Sequence, residues 1–167
     1  MDAALFYANA IFAIATASVV ILHRNPVVEV LSLVLHLCSI AVFFVLLSAP
    51  FAAVVQVILY AGAIMVLFLF VVMLLDPAGE GIQGRVGHLQ LAAAFLGAAA
   101  LLAAIFPVLL SAGTPESGGE PPAGFGTVAT FGRLLFNDYL FPFEAASILL
   151  LSAMVGALYM AKKEIEE

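Results

Sequence analysis

An all-α integral membrane bundle of five transmembrane helices is predicted by three features of this sequence. Hydrophobic residues make up 65% of 167 residues and charged ones 10%, with a mean hydropathy of +1.23, whereas a soluble domain is roughly half apolar. The apolar residues fall into five runs, about 3–22, 27–48, 51–75, 89–111 and 143–161. As helices rising about 1.5 Å per residue, these runs are long enough for a hydrocarbon core of about 30 Å. Proline, glycine and charged residues stand between the runs, where helices end. The chain is therefore read as a single membrane domain, 1–167.

The first run carries no basic segment ahead of it, so it is expected to be a retained span rather than a cleaved signal or transit peptide. It stops at His23-Arg24-Asn25-Pro26. Proline biases its predecessor out of the helical region and can open a helix itself, so a tight reversal leads straight into the second span. Ser48-Ala49-Pro50 then leaves almost no linker before the third run, which makes spans two and three an antiparallel hairpin.

No residue from Phe51 to Leu75 is charged, yet the third span holds Gln56, Tyr60 and Ala61-Gly62-Ala63 where a lipid-facing anchor needs only Leu, Ile and Phe. Small residues admit a neighbouring backbone, and a polar group at membrane depth needs a protein or water partner. This helix is expected to pack inside a bundle. Asp76-Pro77-Ala78-Gly79 ends it, and a polar, glycine-rich loop follows to His88.

The fourth run is rich in alanine, with Gly97 in it and Pro107 near its far end; close packing and a bend at the proline are expected. Residues 112–127, dense in Gly, Pro, Ser and Glu, read as an exposed loop. Val128, Phe131, Leu134 and Leu135 share a helical face, so a short amphipathic helix at the interface is expected before the fifth span. That span ends at Lys162-Lys163.

Charge sets the orientation. Arg24, Arg85, Lys162 and Lys163 fall on the C-terminal side of a five-span topology and Arg133 on the other, which predicts a cytoplasmic C-terminus and a periplasmic N-terminus. The net charge of −6 resides mainly in loops and tail and reads as solvated surface; nothing points to nucleic acid. A lone cysteine, Cys38, excludes an internal disulfide and any multi-cysteine metal or iron–sulfur site built by this chain alone.

Few residues could carry chemistry. Glu29, Ser32, His36 and Ser39 recur at i, i+3, i+7 and i+10 along the second span, a polar stripe that is costly toward lipid and must face protein or water. It serves either interhelical hydrogen bonding or a proton relay through His36. Glu144 follows Phe141-Pro142-Phe143 at the expected start of the fifth helix, where a carboxylate either caps the helix or transfers protons. No nucleophile–base pair, phosphate loop or ligand cluster is present in the sequence, and no charge sits at mid-depth to make a stand-alone pump. The chain reads as a component of something larger and not as a stand-alone monomer.

Three stretches resemble one family. Asn25-Pro26-Val27, the run from Tyr60-Ala61-Gly62-Ala63-Ile64-Met65-Val66-Leu67-Phe68 to Met73, and Tyr139-Leu140 with Glu144-Ala145-Ala146-Ser147 look like the J subunit family of respiratory complex I, the proton-translocating NADH:quinone oxidoreductase. This family is homologous to mitochondrial NADH dehydrogenase subunit 6. The resemblance covers nearly the whole chain and implies a membrane-arm subunit in the bacterial inner membrane, in contact with lipid and with K-, H-, A- and N-type subunits. It implies no catalytic residue and no cofactor of the chain's own, with FMN, iron–sulfur clusters and quinone held by other subunits. It also implies a π-bulge in the third helix around Tyr60 to Val66, whose conversion to α-helix opens or closes a hydrated proton path.

A π-bulge adds one residue to a turn, so removing it rotates one side of the helix by about 100°. In a regular helix Gly62, Val66 and Met73 share a face, and Gln56, Tyr60, Ala63 and Leu67 another; rotation would exchange them. Tyr60, Gly62, Ala63, Met65, Val66 and Met73 are the residues expected to take part in this change or line the path. The alternative for Ala61-Gly62-Ala63 is close packing alone. Some family members carry an acid where this chain has Gln56, and the Glu29–His36 stripe lies outside the family motif. Two other functions fit the same composition: a small independent transporter or channel, and an assembly scaffold.

Overall fold

A computed structural model describes residues 2–75, 88–111 and 122–162. The expected loop stretches 76–87 and 112–121 and the tail from Lys163 lie outside the described residues. Helix α1 is Asp2–Leu22 and α2 is Pro26–Leu46. Helix α3 runs Pro50–Leu74, α-helical over Pro50–Val55, π-helical over Gln56–Ile64 and α-helical again over Met65–Leu74. Then come α4, His88–Ser111, the short α5, Val128–Asn137, and α6, Leu140–Ala161. Five of these helices are long and apolar enough to cross a membrane, and no strand occurs among the described residues.

The α1–α2 reversal forms as its residues dictate. Asn25 is the N-cap of α2, its side chain accepting from Val27 N at 3.0 Å, and Pro26 occupies the first helical position, where its missing N–H costs nothing. His23 Nδ1 accepts from Asn25 N at 3.1 Å, which closes the turn.

At its other end α2 stops in a Schellman motif. Ser48 N donates to Val45 O (3.0 Å) and Ala49 N to Phe44 O (2.9 Å), with Ser48 at φ +59° in the left-handed position that glycine usually fills. Pro50 then opens α3. Phe51 N, one of the unpaired amides of that first turn, donates to Gly126 O at 3.0 Å. The segment before α5 thus lies across the α2–α3 turn, so closely that a Cβ on Gly126 (φ +69°) would overlap Ser48 O. Phe131 of α5 stacks on Phe51 at 4.7 Å between centroids.

Helix α2 is the centre of the bundle, with α1 and α3 packed on its two sides. The α1 side is fixed by Phe6 on Phe43 (5.5 Å) and by Asn9 Nδ2 donating to Ser39 O (3.0 Å). On the α3 side, Cys38, Ala41 and Val45 line a cavity of about 460 Å³ with Ala53, Val57 and Ile58. Buried positions are mostly small: Ala13, Thr16, Ser32, Ser39, Ala41, Ala53 and Ala61. Lipid is as apolar as leucine, so helices in it gain from close van der Waals approach rather than from burying large side chains.

Two expectations change here. Helix α4 does not pack closely within this chain: none of its 90–108 span is buried, and a Cβ on Gly97 would meet nothing within 4 Å. Helix α6 begins at Leu140 rather than near Phe143, because a proline in the first turn, here Pro142, removes only an amide that has no helical partner anyway. Helix α6 is held to α5 by Phe136 on Phe143 at 5.3 Å, and no residue of its span is buried.

Candidate functional site: the π segment and the polar seam of α2

The π segment spans nine residues from Gln56, beginning before Tyr60 and ending at Ile64, so it starts four residues earlier than the expected bulge. At its exit Met65 N donates to Tyr60 O, five residues back, and to Gly62 O. Its effect shows in what α2 covers. Buried or half-buried positions on α3 are Phe51, Ala52, Ala53, Val55, Gln56, Ala61, Gly62, Met65, Leu69 and Val72, with residues 57–60 all exposed between Gln56 and Ala61, a step of five inside the π segment. In a continuous α-helix the residue about 40° from Gln56 would be Tyr60, and Ala61 would sit about 140° away. Instead Gln56 and Ala61 are each 9% exposed and Tyr60 is 48% exposed.

The other residues of the expected path distribute accordingly. Gly62 and Met65 are half-buried, while Ala63, Val66 and Met73 are exposed. Met73 borders a cavity of about 520 Å³ with Val72, His23 and Arg24, at the α1–α2 turn. Gly62 is not where a neighbouring helix approaches: the atom a Cβ would meet is Val57 O of the same helix, at 3.3 Å. That contact is between residues five apart and is a product of the π geometry itself.

On the opposite side of α2 the predicted stripe meets polar residues of α1. His36 Nδ1 lies 3.1 Å from Ala13 O and 3.4 Å from Thr16 Oγ1; Thr16 Oγ1 donates to the carbonyls of Phe12 and Ala13, both at 3.0 Å. Ser39, 2% exposed, has a buried hydroxyl with no partner. Glu29 sits half-buried in the first turn of α2. Asn9 and Thr16 were the residues that sequence reasoning missed, although their spacing of seven in an apolar run already places them on one face. Gln56, on the α3 side of α2, belongs to neither group of hydrogen bonds.

Glu144 is no helix cap. Tyr139 holds the N-cap position of α6 without a side-chain bond, and the first turn carries no acid. Glu144 is exposed one turn further in, its backbone carbonyl accepting from Ser147 Oγ at 2.7 Å. Among the described residues no three His, Cys, Asp or Glu side chains converge as metal ligands would.

Comparison with known proteins finds relatives over nearly the whole chain. NADH-quinone oxidoreductase subunit J of Rhodobacter capsulatus is 35% identical over 160 residues, covering 93% of this chain and 79% of that protein. The subunit J of Pseudomonas aeruginosa is 36% identical over 171 residues and covers the whole of both chains. That of Escherichia coli strain K12 is 36% identical over 165 residues, 95% of this chain and 86% of the relative. A family model described as NADH-ubiquinone/plastoquinone oxidoreductase chain 6 matches residues 16–160, and the chain belongs to that family.

Proposed function

We propose that this chain is a membrane-arm subunit of a proton-translocating NADH–quinone oxidoreductase, complex I, and that its third helix couples quinone reduction to proton movement by switching between π and α geometry. The relatives that span most of the chain are named as subunits of that enzyme. The observation that carries the mechanism is the π segment of α3, which turns Tyr60 outward and seats Ala61 against α2. Removing the extra residue would rotate Met65–Leu74 by about 100° relative to Pro50–Val55. Tyr60 would then come toward α2 and Ala61 would leave it. Tyr60 has no hydrogen-bond partner among the described residues, so in the membrane its hydroxyl needs water or another subunit.

In this reading the chain is multi-pass in a bacterial inner membrane beside K-, H-, A- and N-type subunits, and other subunits hold FMN, iron–sulfur clusters and quinone. A single cysteine at mid-span does not suit cluster ligation. In the same reading the N-terminus is periplasmic and the C-terminus cytoplasmic, supported by the distribution of basic residues between the loops. Ala123→Cys, in the described part of the long loop, should then react with an impermeant thiol reagent added outside the cell.

Gly62→Val tests the switch in the assembled enzyme. Its Cβ meets Val57 O at 3.3 Å in the π form, so valine disfavours that form and biases α3 toward the α state. Proton pumping and quinone reduction should fall while NADH oxidation by a soluble artificial acceptor persists. Wild-type pumping in assembled Gly62→Val would overturn the mechanism. Failure of the chain to co-purify with a large NADH-oxidising assembly in mild detergent would overturn the membership and leave an independent transporter.

A further inference from the structure

In the described spans, Thr16, Ser18, Ser111, Ser147 and Ser152 each donate their hydroxyl to a carbonyl of their own helix, the usual way such residues are satisfied without water. Ser32 and Ser39 of α2, both buried residues, make no such bond, and the hydroxyl of Ser39 is itself buried with no partner in the described structure. An unpartnered hydroxyl in a low-dielectric interior is costly and points to a missing partner, most simply water.

His36 lies between them on the same face. Its Nδ1 faces Ala13 O at 3.1 Å, and because a carbonyl only accepts, Nδ1 must carry the hydrogen. Nε2 of the neutral ring is then the acceptor and has no partner in the described structure. From Glu29 through Ser32 and His36 to Ser39 the rises along the helix are about 4.5, 6 and 4.5 Å. Two hydrogen bonds through one water span about 5.5 Å, close to each of these rises.

We propose that the α1–α2 seam is a water-filled proton-access pocket, entered beside Glu29 and closed at Ser39, in which Nε2 of His36 takes the proton. The exchange is a simple proton transfer. A hydronium O–H at the inner end of the waters breaks as the Nε2 lone pair forms an N–H bond, leaving neutral water; Nδ1–H stays on Ala13 O, and the imidazolium returns its proton along the same waters. The α1 face brings Asn9, Ala13 and Thr16 to the seam, none of them titratable. On the far side of α2, the covered positions of α3, Ala53, Gln56 and Ala61, bring no charge either. Among the described residues Glu29 is the other titratable group on this face of α2, with His23 and Arg24 in the turn below. The pocket depends on the folded seam and not on quinone turnover.

Thiol labelling in membranes holding the assembled complex tests this. In a Cys38→Ser background, Ser32→Cys, Ser39→Cys and Leu35→Cys, an apolar position outside the seam and half exposed in this chain, are treated with two small reagents, 2-aminoethyl and 2-sulfonatoethyl methanethiosulfonate. Thiolates form and react in water, so both seam positions should label at least about tenfold faster than Leu35→Cys. The ratio of cationic to anionic rates cancels the thiolate fraction and reads local charge. It should be severalfold lower at acidic than at alkaline pH, and should lose that pH dependence in His36→Gln. Glu29→Gln should lower it at neutral pH. Seam labelling as slow as Leu35→Cys would show a dry seam, and a ratio unchanged with pH in the His36 protein would remove the proton site; either overturns the proposal. Ser32→Cys reads both quantities if Ser39→Cys does not assemble.

Discussion

Gln56 and Ala61, five positions apart, are both covered by α2, and Tyr60 between them is not. The relation makes helix geometry and helix packing one feature. With alanine at the contact the backbones of α2 and α3 can come close, which is what stabilises helix pairs in lipid. A tyrosine there would hold them apart and bring a hydroxyl that needs a partner. Conversion of the π segment therefore cannot stay local: it must move α3 against α2, or separate them.

Ser48→Gly should stabilise the hairpin. A non-glycine residue in the left-handed region costs about 1–2 kcal/mol, part of which glycine returns through the greater freedom of its unfolded chain, leaving a net gain of about 0.5–1 kcal/mol. The temperature at which the solubilised assembly loses this chain should rise slightly, and fall for Ser48→Val. Equal temperatures for all three would mean that Ser48 is not strained at φ +59°.

Gly126→Ala should undo the docking of the long loop. The added Cβ would overlap Ser48 O and stand 2.6 Å from Ala49 Cα, and displacing the segment deprives Phe51 N of its acceptor. An overpacking cost of about 1–3 kcal/mol is expected, and each 1.4 kcal/mol is about tenfold in the open population that a protease samples. Cleavage within 122–127 should quicken by about one to two orders of magnitude, with the five spans still inserted.

The spans and the Asn25-Pro26 reversal were legible in the sequence because hydropathy over some twenty residues and a capping pair are local signals. The family motif pointed to a π irregularity in the third helix but not to its start at Gln56. That register depends on whether residue 60 or 61 meets α2, a tertiary choice that no local propensity encodes. Gly126 on Ser48 is likewise non-local, joining positions 78 residues apart. The stripe from Glu29 to Ser39 was visible by periodicity, whereas its partners Asn9 and Thr16 emerge only once α1 is laid against it. Close packing expected of the alanine-rich α4 is absent from this chain because small residues permit a contact without supplying one.

Glu144→Gln should leave insertion and assembly unchanged. The carboxylate sits beyond the first turn of α6 and makes no cap, and the favourable interaction of an acid with a helix N-terminus, about 0.3–1 kcal/mol, fades within that turn. Assembly yield and thermal release of the chain should match wild type. A clear fall in either would restore a structural role for the charge.

Ala61→Leu isolates the π register. Position 61 is 9% exposed beneath α2, so three added carbons must either push α2 and α3 apart, at about 1–3 kcal/mol, or leave the contact. They can leave it by conversion of Gln56–Ile64 to α-helix, which turns residue 61 away and brings Tyr60 in. Ala63→Leu carries the same bulk at an exposed position and relieves nothing by that conversion. Structures of the two assembled variants should therefore differ: unbroken i→i+4 bonding from Gln56 to Met65 with Tyr60 toward α2 in Ala61→Leu, and a retained π segment in Ala63→Leu. Proton pumping in Ala61→Leu should fall with the loss of the π state. A π segment that persists in Ala61→Leu, with the substituted side chain still seated on α2, would show that packing against α2 does not choose the geometry of this helix.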